Sequence, residues 1–340
     1  MKGGSSVLAK KIGLDVGTYS LKVCADFRDA IDEIPCTAAV DTLSGSLLGY
    51  GDAVRSMRGR APYSYQMKSF IRSGAVNDFG LAVRVLGDVF DRMLGQRVLR
   101  PAVVACVGVG ATELEKKMLL DVLHEAGAAR AFLVSSAVAS SIGYYGPSAR
   151  PEGRAVLDVG AGAADFAVVT MNGVAARKAV PAAGIEMTKA LTAYLSEERG
   201  VVLGEEETER LKRALACVYP REPELAFVAG GKKANGEAVS FELTSTEVSK
   251  ALRGCFDRIG RLIISVLEET PPELVGDVRK NGILLTGGCA VIPGLEAFLT
   301  RSVGVSVTCP RQPAYCAIRG VKRLLPGFKA PQAERTLYEA

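Results

Sequence analysis

Leu157-Asp158-Val159-Gly160-Ala161-Gly162-Ala163-Ala164-Asp165-Phe166 is the stretch on which the fold of this sequence turns. An apolar run beginning at Arg154 reaches one carboxylate, passes through glycines and alanines too small to fill space, and returns to an apolar strand, Phe166-Ala167-Val168-Val169. A hairpin of this kind brings bare backbone N–H groups up against phosphate oxygens, with the aspartate placed to hold a hydrated divalent cation. Asn172-Gly173 then supplies a tight turn into the next strand. Taken alone, small residues after a strand usually make only a turn.

The pattern is not alone. Ile12-Gly13-Leu14-Asp15-Val16-Gly17-Thr18-Tyr19-Ser20-Leu21-Lys22-Val23 repeats it near the start of the chain, so two halves related by duplication are expected. A third glycine turn, Thr286-Gly287-Gly288-Cys289, follows the buried strand Ile283-Leu284-Leu285 and precedes Val291-Ile292-Pro293-Gly294-Leu295, which reads as a helix start. Strand, Gly-Gly, helix is a common approach to a nucleotide.

In this order the three turns resemble those of the actin/Hsp70/sugar-kinase ATPase superfamily, and within it the MreB-like bacterial actins. Further matches lie outside the turns, at Gly51-Asp52, Arg58 to Pro62, Ala75 to Phe79, Thr112 to Lys116, Ala183 to Met187 and Thr270 to Leu274. The resemblance implies an α/β fold: a duplicated actin-like (ribonuclease H-like) two-lobed fold with four subdomains and a central nucleotide cleft. The expected division is 8–34, 75–150 and 315–330 for the first large subdomain, 35–74 for the first small one, 151–183 and 244–314 for the second large one, and 184–243 for the second small one.

The resemblance also implies ATP or ADP with Mg2+. Its phosphates would be clamped by Gly17, Thr18, Tyr19 and Ser20 and by Gly160, Ala161 and Gly162, its adenosine contacted by Gly287, Gly288 and Cys289. Asp15 and Asp158 would hold the metal through water. Glu209 and Lys212 lie three apart on one face of a helix beginning at Gly204, a spacing at which a charged pair is ordinarily just solvated; in the family this helix carries the residues that touch ribose and adenine.

Two places depart from the family pattern. Where active relatives carry a glutamate or glutamine that orients the attacking water, the chain has Ser135 and Ser136. Where they carry a pair of threonines after the second glycine turn, it has Ala163 and Ala164. Serine is too short to reach that water and alanine has no hydrogen-bonding group. Losing a water-positioning group costs about 10²- to 10⁴-fold in rate. Nucleotide binding with slow or absent hydrolysis is therefore expected, unless Ser136 or Glu186 takes over the water.

Composition sets the outer limits. A chain of 340 residues exceeds one ordinary core, and 48% hydrophobic with 23% charged residues is globular composition. No apolar run reaches the roughly 18 residues of a membrane span, and Met1-Lys2-Gly3-Gly4-Ser5-Ser6 leads to Lys10-Lys11 without a secretory core, so a cytoplasmic protein is expected. The eight cysteines show no C-x-x-C spacing and read as buried thiols; the single His124 cannot build a metal site. A net charge of +5, from 42 basic and 37 acidic residues interspersed, argues for no nucleic-acid partner.

Along the chain, Tyr50 to Ser73 holds five basic residues with few apolar anchors and reads as a small peripheral subdomain. Leu94, Val98 and Leu99, with Arg92, Arg97 and Arg100, fit a loop that dips into a membrane in MreB-like proteins, or simply the start of a strand. Gly230 to Gly236 reads as a flexible hairpin tip, and Thr244-Ser245-Thr246-Glu247 as a capping box opening a long helix. The expected function is an actin-like cytoskeletal protein whose filaments, built from copies of itself, act as a cell-shape or positioning scaffold. Two alternatives stand beside it: a non-polymerising FtsA-like or PilM-like nucleotide-binding adaptor at the membrane, and a metabolic kinase or chaperone.

Overall fold

The computed structural model of the chain describes residues 10–55, 64–95, 100–147, 152–171, 173–328 and 336–337. These form two compact units, one from the segments up to residue 147 and the chain from Ala317 onward, the other from residues 152–316.

In the first unit β1 (Lys11–Val16), β2 (Ser20–Ala25) and β3 (Arg28–Pro35) form an antiparallel meander. A smaller sheet follows, made of β4 (Thr37–Asp41), β5 (Leu47–Tyr50) and β6 (Tyr65–Ser69), with a short helix α1 (Asp52–Arg55) between the last two. The hairpin β7 (Ile71–Arg72) and β8 (Ala75–Val76) leads to α2 (Phe79–Leu94), capped by the Asp78 side chain. Next come β9 (Ala102–Val107), α3 (Glu113–Glu125) with its Thr112/Glu115 capping box, β10 (Arg130–Ser135) and α4 (Ser136–Tyr145). β9 pairs parallel to β1 and β10 parallel to β9.

Sandwiching explains why these strands read as nearly continuous apolar runs. Ile12, Leu14, Val16, Val103, Ala105 and Leu133 share one buried core with Leu81, Val85 and Val89 of α2 and Leu119, Val122 and Leu123 of α3. Phe70 and Ile71, 0% and 1% exposed, belong to that core too. The segment expected to be peripheral with few anchors is thus pinned by two large side chains at its end. Arg58 and Arg60 lie outside the described residues.

The second unit repeats the plan. β11 (Arg154–Val159), β12 (Ala164–Thr170) and β13 (Gly173–Val180) form an antiparallel meander. α5 (Gly184–Arg199), β14 (Val201–Val202) and α6 (Glu205–Leu215) precede the hairpin β15 (Ala226–Lys233) and β16 (Ala238–Thr244). The hairpin tip is shorter than expected, because Gly230 and Gly231 continue the strand beside Val201 and Leu203. The 23-residue α7 (Ser245–Leu267) starts at the capping box Thr244/Glu247 as its sequence predicts. Then follow α8 (Pro272–Asn281), β17 (Ile283–Thr286), a 3-10 turn at Gly288–Val291, α9 (Leu295–Val303) and β18 (Val307–Thr308).

β17 pairs parallel to β11 and β18 parallel to β17. Strand order in this sheet is β13-β12-β11-β17-β18; in the first unit the corresponding order is β3-β2-β1-β9-β10. One topology written twice is the duplication that the two Asp-Val-Gly stretches announce.

The chain closes on the first unit with α10 (Cys316–Leu324) and a two-residue β19 (Thr336–Leu337) parallel to β10. α10 crosses α4 at Gly320, where a Cβ would lie 1.8 Å from the Ala139 carbonyl oxygen, so only glycine permits the crossing. Among the described residues no helix is long and apolar enough to cross a membrane.

Candidate functional site

Each unit carries one aspartate-led turn, and the two are built alike. In the second unit Asp158, next to last in β11, lies directly opposite Asp165 on β12, and the turn beyond them closes with Gly160 N–H donating to the Ala163 carbonyl at 3.1 Å. α5 starts against this turn. Its Gly184 N–H donates to the Gly160 carbonyl at 3.1 Å and its Ile185 N–H to the Ala161 carbonyl at 2.8 Å. Ala183, in the N-cap position, offers no capping side chain, and the turn's own carbonyls satisfy the first-turn donors instead.

Glu209 and Lys212 hold that junction from behind. Lys212 Nζ donates to the Gly184 carbonyl at 2.7 Å and to Thr188 Oγ1 at 2.9 Å, and pairs with Glu209 Oε2 at 2.5 Å. Thr188 Oγ1 lies 2.6 Å from the same carboxylate oxygen, and Arg213 Nε donates to its other oxygen at 2.9 Å. Burial works to raise the Glu209 pKa, but the Lys212 ammonium and the hydrogen bonds from Lys212, Thr188 and Arg213 overcome it, leaving the carboxyl below the ordinary glutamate value. The two charges that share this helix face are therefore not merely solvated: they are joined to each other and brace the α5 N-terminus.

The third glycine turn meets the same place. Gly287 has φ +92°, and a Cβ there would lie 2.4 Å from both Asp158 Oδ1 and the Val159 carbonyl oxygen. No other residue fits. Cys289 Sγ donates to the Gly160 carbonyl at 3.2 Å, and burial pushes its thiol pKa up, so it is the protonated donor form that sits there. Gly160, Ala161, Gly162, Gly287, Cys289, Glu209 and Lys212 are thus linked within one unit, with Gly288 exposed beside them.

In the first unit Asp15 faces Lys22 across the β1–β2 hairpin, and Lys22 Nζ pairs with Asp15 Oδ2 at 3.2 Å. Cys36 Sγ donates to the Gly17 carbonyl at 3.2 Å, repeating the Cys289 contact at the equivalent glycine, and burial raises its thiol pKa as well. Cys36 N–H donates to the Tyr19 carbonyl at 3.0 Å. Thr18 Oγ1 accepts from Gly74 N–H at 2.7 Å, which ties the turn to the β7–β8 hairpin. Ser20 is buried and its hydroxyl donates to Glu33 Oε1 at 2.6 Å, so its side chain is committed inside the sheet.

Sequence reasoning missed four residues here. Lys22 and Asp165 each stand seven positions after their aspartate, and in a hairpin with this turn that offset brings them face to face. The strands are short and the offset was visible. Cys36 and Thr188 gave no sequence signal, because their roles come from residues brought in from elsewhere in the chain.

The water-handling positions need one correction. Ala163 is half-exposed on the turn, but Ala164 is 0% exposed and packs in the core of the second unit, on the face of β12 away from Asp165. Ser135 and Ser136 are buried, at 4% and 8%, and neither hydroxyl has a hydrogen-bond partner among the described residues. Glu186 pairs with Lys189 at 3.5 Å and Arg258 at 3.8 Å. Leu94, expected to reach a membrane, is 8% exposed and packs in the first core, which its helical phase dictates; Val98 and Leu99 lie outside the described residues, as does Asn172.

With the geometry established, comparison with known proteins places the chain. The model of the MreB/Mbl protein family matches residues 9–333. The chain belongs to the MreB/Mbl family. Cell shape-determining protein MreB of Escherichia coli K12 is 28% identical over 330 residues, covering 94% of each chain. MreB5 of Spiroplasma citri, solved bound to AMPPNP, superposes with a TM-score of 0.89 at 24% identity, covering 94% of this chain and 97% of that one. A MamK double helical filament structure gives 0.79 at 20% identity, covering 95% and 99%. This MreB/Mbl member therefore has the actin-like fold.

Proposed function

We propose that this protein binds an adenine nucleotide and assembles with copies of itself into filaments that serve as a cell-shape or intracellular positioning scaffold, with slow or absent hydrolysis. The observation that carries the binding half is the Asp158 turn, whose Gly160 and Ala161 carbonyls are bound by α5 and Cys289. With those carbonyls taken, the N–H groups of Ala161 and Gly162 are assigned to phosphate oxygens. Membership of a family with cell shape-determining relatives, and a fold shared with a MamK filament, support the assembly half. The same relatives favour it over the adaptor alternative.

The residues present fit magnesium carried in with a nucleotide. Among the described residues no group of three or more His, Cys, Asp or Glu gathers into a dedicated cage. Magnesium keeps several waters and needs one or two carboxylates beside phosphate oxygens, and Asp15 and Asp158, both half-buried at the ends of their strands, are assigned to it through water. The ion would neutralise phosphate charge. Lys22 would add a positive charge beside Asp15, and Glu209 with Lys212 would hold the α5 side of the nucleoside pocket.

The weak hydrolysis follows from what is missing. Ser135 and Ser136 present short hydroxyls, and Ala163 presents none, so no side chain in these positions orients a water for attack. Sedimentation with Mg-ATP, Mg-ADP and no nucleotide, followed by negative-stain microscopy, tests the proposal: filaments in the ATP pellet are expected. Protein that stays in the supernatant in every condition would refute the assembly half.

A further inference from the structure

The helix α4 begins in an unusual way. The first N–H groups of any helix have no partner inside it, and they need a capping side chain, water or a ligand. Ser135 occupies the N-cap position, the place from which a serine hydroxyl ordinarily accepts from the first turn, yet it makes no capping hydrogen bond. Ser135 and Ser136, the first helical residue, are 96% and 92% buried, and neither hydroxyl has a partner among the described residues. Ala137 and Val138 behind them are buried as well. A buried, uncapped helix start with two idle hydroxyls is a set of donors without an acceptor.

Its place in the sheet says what kind of acceptor fits. β1, β9 and β10 run parallel; Asp15 stands opposite Cys106, which stands opposite Val134, so Ser135 lies one residue beyond that row. At the ordinary strand spacing of about 4.8 Å, the α4 N-terminus sits roughly 10 Å from Asp15 along the same carboxyl edge of the sheet. That edge is where parallel α/β sheets take ligands. The positive end of the helix and the hydroxyls favour negative charge. A glutamate at Ser135 or Ser136 would repel an anion; serine donates to it.

We propose that the N-terminus of α4, with the hydroxyls of Ser135 and Ser136, is a binding site for a tetrahedral phosphate-type oxyanion. Two sources share this chemistry, free phosphate and the terminal phosphoryl of a bound triphosphate. The site deepens the nucleotide proposal, from which it takes only the presence of phosphate-bearing ligands at this edge.

Phosphorus NMR line widths of inorganic phosphate test it, with the full chain nucleotide-free, ADP-loaded and AMPPNP-loaded. Protein should broaden the phosphate line, and Ser135→Ala/Ser136→Ala should weaken binding about tenfold or more, as lost hydrogen bonds to a charged group do. Ser136→Glu should abolish it. Ser140→Ala, one helical turn deeper, should leave it unchanged. Broadening that survives AMPPNP assigns the site to free phosphate, and broadening that AMPPNP removes assigns it to the terminal phosphoryl; either supports the site. No broadening by the wild-type chain, or broadening that both serine variants preserve, overturns it. Failure of ADP to bind in the same titrations would strike the nucleotide proposal instead, and the nucleotide-free arm would still decide this one.

Discussion

Replacing Lys212 by methionine removes the charge that joins α6 to the start of α5 while keeping the length of the chain. The ammonium makes hydrogen bonds of 2.7 and 2.9 Å and an ion pair of 2.5 Å, and its side chain is 7% exposed. Breaking a fully buried pair from one side costs about 3–5 kcal/mol. Glu209 is 31% exposed and keeps Arg213 and Thr188, so about 2–3 kcal/mol is expected. The loss falls on the α5 N-terminus, because the Gly184 carbonyl loses its donor. At about 1.4 kcal/mol per tenfold, amide exchange across Gly184 to Thr188 should speed up roughly 30- to 150-fold, if opening limits it. Nucleotide affinity should fall with it, since Gly184 and Ile185 hold the Gly160–Ala161 turn. Hydrogen exchange with mass spectrometry reads the first effect and titration with a fluorescent ATP analogue the second. Glu209→Gln combined with Lys212→Met should cost less than the two single changes summed, because the only charge the double variant leaves without its carboxylate is that of Arg213, which is 53% exposed. Exchange within threefold of wild type, or strict additivity, would refute the bracing role.

The remaining predictions concern single groups. Ser140 is 0% exposed with no hydroxyl partner among the described residues, so Ser140→Ala should stabilise the chain by about 1 kcal/mol or more, raising Tm by about 2–4 °C; a lower Tm in differential scanning fluorimetry would contradict this. Glu209 has a folded pKa held below its unfolded one, so its contribution to stability is whole above the ordinary glutamate value and is lost as pH falls through the depressed folded value. Denaturation between neutral pH and pH 3 should show that acid-side loss, and Glu209→Gln should flatten it. Burial pushes the Cys24 thiol up to about 12; of the eight cysteines only Cys289 and Cys309 are half-exposed. Ellman's reagent on native protein should therefore find those two first, with nucleotide protecting Cys289, and rapid labelling of Cys24 would contradict the packing.

Much of this was readable in the residues. The paired Asp-Val-Gly stretches gave the duplication, and the capping boxes at Thr112 and Thr244 gave two helix starts, because these signals are local. What stayed hidden depends on residues meeting across the chain. The thiols of Cys36 and Cys289 look like small hydrophobes in sequence, yet each donates to the glycine carbonyl two residues after an aspartate. Leu94 looks available to a membrane until its helical phase turns it into the core. Ala164 looks like a lost water ligand, but strand alternation points it inward and leaves Asp165 opposite Asp158.

The nucleotide content of filaments pelleted after hours in Mg-ATP, read by chromatography of the acid-quenched pellet, tests the central claim most directly. The proposed loss of water positioning at Ser135, Ser136 and Ala163 predicts mostly intact ATP at about one per chain. A pellet carrying mostly ADP, or none of either nucleotide, would contradict it.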